Sequence, residues 1–149
     1  MKIIKAPEKD FNEINNLIEN EFPYLKKEKT IVSERIIKGN LVFVAKEKNS
    51  LFGFIEFQLK EKNAVLLGFA VKKKFRGKGA GKKLFDFFID FCKKNKTEKI
   101  FLIVKKNNFQ AKKLYNSRGF IKTGFLEKKI DDSEIEKMEL NLAPFKGVN

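Results

Sequence analysis

Apolar residues at Phe11, Ile14, Leu17 and Ile18 recur with the period of one helical face, and they predict a helix from about Asp10. Residues 2–5 read as a short strand before it, closed by Pro7. Phe22-Pro23-Tyr24 ends the helix, because the residue ahead of a proline leaves the helical region. A second helix is expected over about 29–38, with Ile36 and Ile37 apolar and Gly39 as its stop. Three strands follow. Residues 41–46 and 52–59 are joined by a polar Glu-Lys-Asn-Ser turn. Residues 64–71 are apolar throughout, the pattern of a central strand buried on both faces.

The second half of the chain repeats the alternation of helix and strand. Residues 79–94 are strongly amphipathic, with Lys83, Asp86, Asp90 and Lys93 on one face and Leu84, Phe88 and Phe91 among the apolar residues opposite. An apolar strand is expected at 99–104, then a short helix at 108–118 that Gly119 terminates. Two strands, 121–130 and 135–142, flank the polar turn Asp131-Asp132-Ser133. The order is β-α-α-β-β-β-α-β-α-β-β, an α/β arrangement around a mixed sheet.

Composition narrows this picture. A chain of 149 residues without a Gly/Pro/Ser linker or an internal repeat is expected to form one domain, residues 1–142, with 143–149 as a frayed tail. No apolar run approaches the length of a membrane span, and residues 1–10 hold no apolar core of signal-peptide length, so the protein is expected to be soluble and cytoplasmic, without a membrane partner. Cys92 is the only cysteine, which rules out an intramolecular disulfide, and there is no histidine. Imidazole is therefore unavailable as a base or a zinc ligand, and no metal is expected. Proton transfer has to use carboxylate, tyrosine, lysine, backbone or water.

The net charge of +14 would suit a nucleic-acid or ribosomal partner, but the lysines are spread along the chain and not gathered on one element. A Lys-rich surface that attracts an anionic cofactor accounts for the same charge.

Candidate chemistry concentrates in Arg76-Gly77-Lys78-Gly79-Ala80-Gly81-Lys82, which joins the 64–71 strand to the amphipathic helix. Glycines let the backbone turn tightly and let a ligand approach its N–H groups. The N–H groups of the helix's first turn lack internal partners and carry the positive end of its dipole, so the turn is an anion site. A Walker A loop would need Ser or Thr after Gly81-Lys82, where Lys83 stands. The dinucleotide pattern G-x-G-x-x-G would need glycine at position 82 or 84, which are Lys82 and Leu84.

This segment resembles the GNAT acyltransferases, whose R/Q-x-x-G-x-G/A motif it matches after the strand end Ala70-Val71. A second match is Asn108-Phe109-Gln110-Ala111-Lys112-Lys113-Leu114-Tyr115 with Gly119-Phe120, similar to the family's N-x-x-A-x-x-L-Y followed by G-F. The resemblance covers residues 3–142 and implies the GNAT acyl-CoA N-acyltransferase fold, with acetyl-CoA as co-substrate. It implies that the backbone from Arg76 to Lys82 holds the pyrophosphate of coenzyme A. Phe69 and Val71 would offer backbone groups to the pantetheine arm and the acetyl carbonyl. Asn108 would hydrogen-bond the cofactor, and Tyr115 would protonate the departing thiolate.

Within the superfamily the chain is similar to compact enzymes related to ribosomal-protein alanine acetyltransferases, which places Phe22-Pro23-Tyr24 at the acceptor pocket. The same three residues also fit a hydrophobic plug between two helices. Many relatives carry a glutamate base where this chain has Val65 and Ile103. Glu56 or a water chain is the alternative, and Glu56 also reads as a solvated strand carboxylate. The acceptor is expected to be an amine, with a peptide α-amine favoured over a lysine by its lower pKa and a small-molecule amine left open. A basic nucleic-acid module and a non-catalytic coenzyme A sensor are the competing classes. Cys92, among phenylalanines, reads as a core residue.

Overall fold

A computed structural model describes residues 1–23 and 31–143. Seven strands form a sheet in the order β1-β2-β3-β4-β5-β7-β6. They are β1 (Lys2–Lys5), β2 (Leu41–Glu47), β3 (Ser50–Lys60), β4 (Asn63–Val71), β5 (Lys99–Lys105), β6 (Ile121–Phe125) and β7 (Ile135–Asn141). The helices are α1 (Phe11–Glu21), α2 (Val32–Ile37), α3 (Ala80–Lys94) and α4 (Phe109–Ser117). The order of elements is the one the hydrophobic pattern predicts. The single-turn 3-10 helices Glu8–Asp10 and Lys73–Phe75 are additional. The chain forms two compact units, one of residues 1–58 and 67–90, the other of 59–66 and 91–149. No helix among the described residues is long and apolar enough to cross a membrane.

In the first unit β1, β2 and β3 are antiparallel neighbours, with Lys2 opposite Lys46 and Val44 opposite Phe54. Alternation divides β2 and β3 between two cores. Val42, Val44 and Phe54 pack with Ile14 and Leu17 of α1 and Val32 of α2. On the other face Phe43 meets Phe87 of α3 at 4.6 Å, and Phe57 meets Phe88 at 4.6 Å. Aromatic pairs at such separations add to the area they bury. The strand buried on both faces is β3, where Leu51 through Phe57 are all buried. The expectation that 64–71 would have that role is corrected: Ala64 and Leu66 are buried, but Leu67 is 48% exposed. A continuous apolar run does not reveal which face a helix covers.

A charge is buried in this unit. Lys46 Nζ lies 2.7 Å from Asp10 Oδ2, and both side chains are almost wholly enclosed. The bond ties the turn before α1 to β2. Lys46→Met leaves the Asp10 carboxylate buried without its partner and is expected to cost about 3–5 kcal/mol. The shift of the urea midpoint measures this, and a second substitution, Asp10→Leu, is expected to recover most of the loss.

In the second unit β7 runs antiparallel to both β5 and β6, with Leu102 opposite Met138 and Ile121 opposite Glu139. β4 pairs with β5 in parallel, through Asn63–Lys99, Ala64–Ile100 and Val65–Phe101. β6 is shorter than the expected 121–130. Ile130 instead pairs with Ser133 around Asp131 and Asp132, both at positive φ, so the polar turn is present as a small bridge of its own. α2 spans only Val32–Ile37, against the expected 29–38; residues 29 and 30 lie outside the described residues. The expected tail lies outside them from residue 144 on.

Candidate functional site

The glycine loop is built by an aromatic anchor. The 3-10 turn Lys73–Phe75 lays the Phe75 ring on Phe52 of β3, with centroids 4.0 Å apart and planes within 7°. The Lys72 N–H donates to the Phe52 carbonyl, which fixes where β4 ends. β3 and β4 approach closely there: a Cβ on Gly53 would come within 2.5 Å of the Ala70 carbonyl oxygen. From Phe75 the chain turns through Gly77 at φ +81° and Gly79 at φ +82°, and a Cβ on either would meet nothing within 4 Å. The loop therefore needs glycine for its dihedral angles, and the space beside it is open. Residues 76–79 are exposed.

The first helical bond of α3 runs from the Lys83 N–H to the Gly79 carbonyl. The N–H groups of Ala80, Gly81 and Lys82 precede that ladder, at the positive end of a fifteen-residue helix. Gly81 sits where a Cβ would touch Phe69 and Val71 at 3.6 Å, so a small residue sets the approach of α3 to β4. Phe69 stacks on Phe85 of α3 at 5.8 Å. Lys78 and Lys82 are exposed and keep positive charge around the loop. A cradle of open space, exposed backbone and positive field fits a diphosphate.

Arg76 braces this loop. Its Nε donates to the Val71 carbonyl at 3.1 Å, and its guanidinium pairs with Glu21 at the end of α1. Lys72 pairs with Glu13 on the same helix. The Val71 carbonyl is thus already engaged by a side chain of the motif.

Asn108 and Tyr115 sit at the two ends of α4. Asn108 is the N-cap, its Oδ1 accepting from the Ala111 N–H at 3.2 Å, and it is exposed. Tyr115, about two turns later, is buried and lies 6.1 Å from Phe120, which Gly119 at φ +95° turns back toward it. Burial pushes the phenol well above its usual range, so the hydroxyl keeps its proton.

Glu56 is not a solvated carboxylate. It is buried on β3, and both oxygens are engaged: Oε2 by Arg35 Nε at 2.7 Å and Asn40 Nδ2 at 2.6 Å, Oε1 by the second Arg35 nitrogen at 3.0 Å. Gln58 continues the network to Asn40. Alternation places Glu56 on the same face as Val42, which faces α2, and Arg35 of α2 meets it there. Val65 and Ile103 are respectively partly buried and 51% exposed.

Cys92 is fully buried, and burial raises its thiol to about 12 against a hydrogen bond from Thr97 that lowers it, so it is no nucleophile at neutral pH. Phe22 packs partly buried against the core of α1 and α2, as a plug would; Tyr24 lies outside the described residues. Among the described residues no cluster of His, Cys, Asp or Glu could hold a metal ion.

Besides Asp10, a second buried carboxylate escaped the reading of the sequence. Glu136 of β7 is 4% exposed and accepts from Lys112 of α4 at 3.0 Å. Its signal was the period-two pattern of the strand, which puts Glu136 on the side of Met138 and Leu140.

The profile of the acetyltransferase (GNAT) family matches residues 11–120. No curated protein matches the chain in sequence. Solved structures do match it in fold. The ribosomal-protein-S18-alanine N-acetyltransferase from Escherichia coli is 20% identical over 96% of this chain and 94% of its own, with a TM-score of 0.77. The IAA acetyltransferase from Bacillus cereus ATCC 14579 is 19% identical over 95% and 99%, with a TM-score of 0.75. The yncA protein from Salmonella typhimurium, solved with its cofactor acetyl-CoA, is 20% identical over 97% and 95%, with a TM-score of 0.78.

Proposed function

The chain belongs to the acetyltransferase (GNAT) family, and from that premise we propose that residues 1–142 act as a single domain that transfers the acetyl group of acetyl-CoA directly to a primary amine. The observation that carries this reading is the exposed loop of Gly77 and Gly79, open at both Cβ positions and leading into the N-terminus of α3. Its N–H groups from Arg76 to Lys82 bind the pyrophosphate, with Arg76 holding the loop's shape and Lys78 and Lys82 adding charge. The backbone of Phe69, Ala70 and Val71 receives the pantetheine arm, and Asn108 hydrogen-bonds the cofactor from the start of α4.

Acetyl-CoA supplies the acetyl group as a thioester, activated toward an amine. Backbone N–H groups near Phe69 and Val71 face the acetyl carbonyl and stabilise the charge that develops on its oxygen as the new C–N bond forms. Tyr115 gives its proton to the sulfur as the C–S bond breaks. The amine must shed a proton, and water is its acceptor in this reading. Glu56 does not serve, because its oxygens already take the donors of Arg35 and Asn40. Glu56→Gln is expected to lower stability by about 1–3 kcal/mol, the cost of disturbing a buried charged hydrogen-bond network. Its kcat/KM per folded molecule should remain near wild type; a loss of two orders of magnitude with the fold intact would restore Glu56 as the base.

The acceptor we favour is a peptide or protein α-amine, whose pKa near about 8 leaves more neutral amine than a lysine at about 10.4. Relatives of this fold bear names that point to both protein and small-molecule acceptors. Turnover with free-α-amine peptides but not with their N-blocked, lysine-containing counterparts supports the α-amine. Turnover with small amines alone overturns it.

A further inference from the structure

Helix α4 has nine residues, and Tyr115 is the one that is buried. Its first turn is exposed: Asn108 caps it from outside, and Phe109 is 73% exposed. Apolar burial therefore anchors only the second half of the helix. The first half is held by charge. Lys112 Nζ donates to Glu136 Oε1 at 3.0 Å and to the Lys106 carbonyl at 3.0 Å. Lys122 of β6 approaches the same Glu136 oxygen at 3.9 Å. Glu136 itself stands on β7, which is laddered to β5 on one side and β6 on the other. Lys112 thus joins three elements at one point: the chain leaving β5, the middle of α4 and the central strand of this unit. It lies one turn before Tyr115, and a helix this short moves as a rod, so a shift at Lys112 carries the phenol with it.

We propose that Lys112 and Glu136 are positioning residues for Tyr115. Their part-buried ion pair fixes α4 against the strands and so holds the phenol in place. The consequence for turnover rests on Tyr115 being the proton donor; the placement itself does not. A buried pair is a poor device for stability alone, since exchange for apolar residues of similar volume is often neutral or stabilising. It is directional, however, and apolar contacts are not. Misplacement by about 1 Å can cost on the order of a hundredfold in rate.

The protein has two tyrosines and no tryptophan, so Tyr24→Phe leaves Tyr115 as the only such emitter. In that background, acrylamide quenching of tyrosine fluorescence reads the placement of Tyr115 without any acceptor or cofactor. The double variant Lys112→Met/Glu136→Met leaves no buried charge unpaired, Lys122 being half exposed, and is expected to fold with near wild-type stability, with a several-fold higher quenching constant. Glu136→Gln should move the same way, and Lys112→Arg should keep the wild-type value. With acetyl-CoA and a free-α-amine peptide, kcat of the double variant should fall on the order of tenfold while cofactor binding is retained. Unchanged quenching in the folded double variant overturns the proposal. So does a double variant that fails to fold, which would make the pair a stability element. A Tyr115→Phe enzyme with full kcat would remove the proton-donor role and leave the quenching result to judge placement alone.

Discussion

Gly79→Glu is expected to eliminate the thermal stabilisation that acetyl-CoA gives the wild-type protein. Two effects act together. Gly79 holds φ +82°, a left-handed conformation that costs a side-chain residue about 1–2 kcal/mol. No atom lies within 4 Å of a Cβ there, so the fold can accommodate the side chain. The glutamate then places negative charge at the positive end of α3, where the pyrophosphate should sit. We expect binding to weaken by about a hundredfold or more, equivalent to roughly 2.7 kcal/mol of ligand-induced stabilisation. Gly79→Ala separates the two effects, since it carries the strain without the charge. It should fold, with a slightly lower Tm, and still respond to acetyl-CoA. Equal responses of wild type and Gly79→Glu would remove the loop from the cofactor site.

Tyr115→Phe should lower kcat by roughly a hundredfold or more, with acetyl-CoA binding nearly unchanged, because only the proton is removed. Release of free thiol in the presence of a free-α-amine peptide measures it. The pH dependence has a definite sign. Burial raises the phenol's pKa in the folded state, so the acid form is retained past the ordinary value of about 10. The wild-type kcat profile should therefore show no loss below pH of about 10 that Tyr115→Phe abolishes. The same raised value makes the folded state lose stability relative to the unfolded chain above that pH, where only the unfolded phenol ionises. A mutant with wild-type kcat would leave the thiolate to be protonated by solvent.

Much of the fold was legible because local signals agreed with the tertiary outcome. Phe11, Ile14, Leu17 and Ile18 sit on one helical face, and Ile14 and Leu17 are buried where that face meets the sheet. Gly39 and Gly119 stop their helices at positive φ, as their places after the apolar runs imply. What failed depends on neighbours distant in sequence. The 64–71 run looks doubly buried, yet Leu67 is half exposed, because coverage of a strand face is decided by helix placement. Glu56 reads as a surface carboxylate until Arg35, twenty-one residues earlier, is seen to reach it. The tight turn of the glycine loop was legible from its spacing, with Gly77 and Gly79 at φ +81° and +82°. The clasp of Lys112 on Glu136 was not, since it joins residues twenty-four apart on different elements.

The most direct test of the central claim is calorimetric titration of the wild-type protein with acetyl-CoA in moderate salt. The account predicts saturable one-site binding in the micromolar range that persists as salt is raised. Folded protein that takes up no acetyl-CoA, or binds it only through a salt-sensitive and unsaturable interaction with the +14 surface, would contradict it.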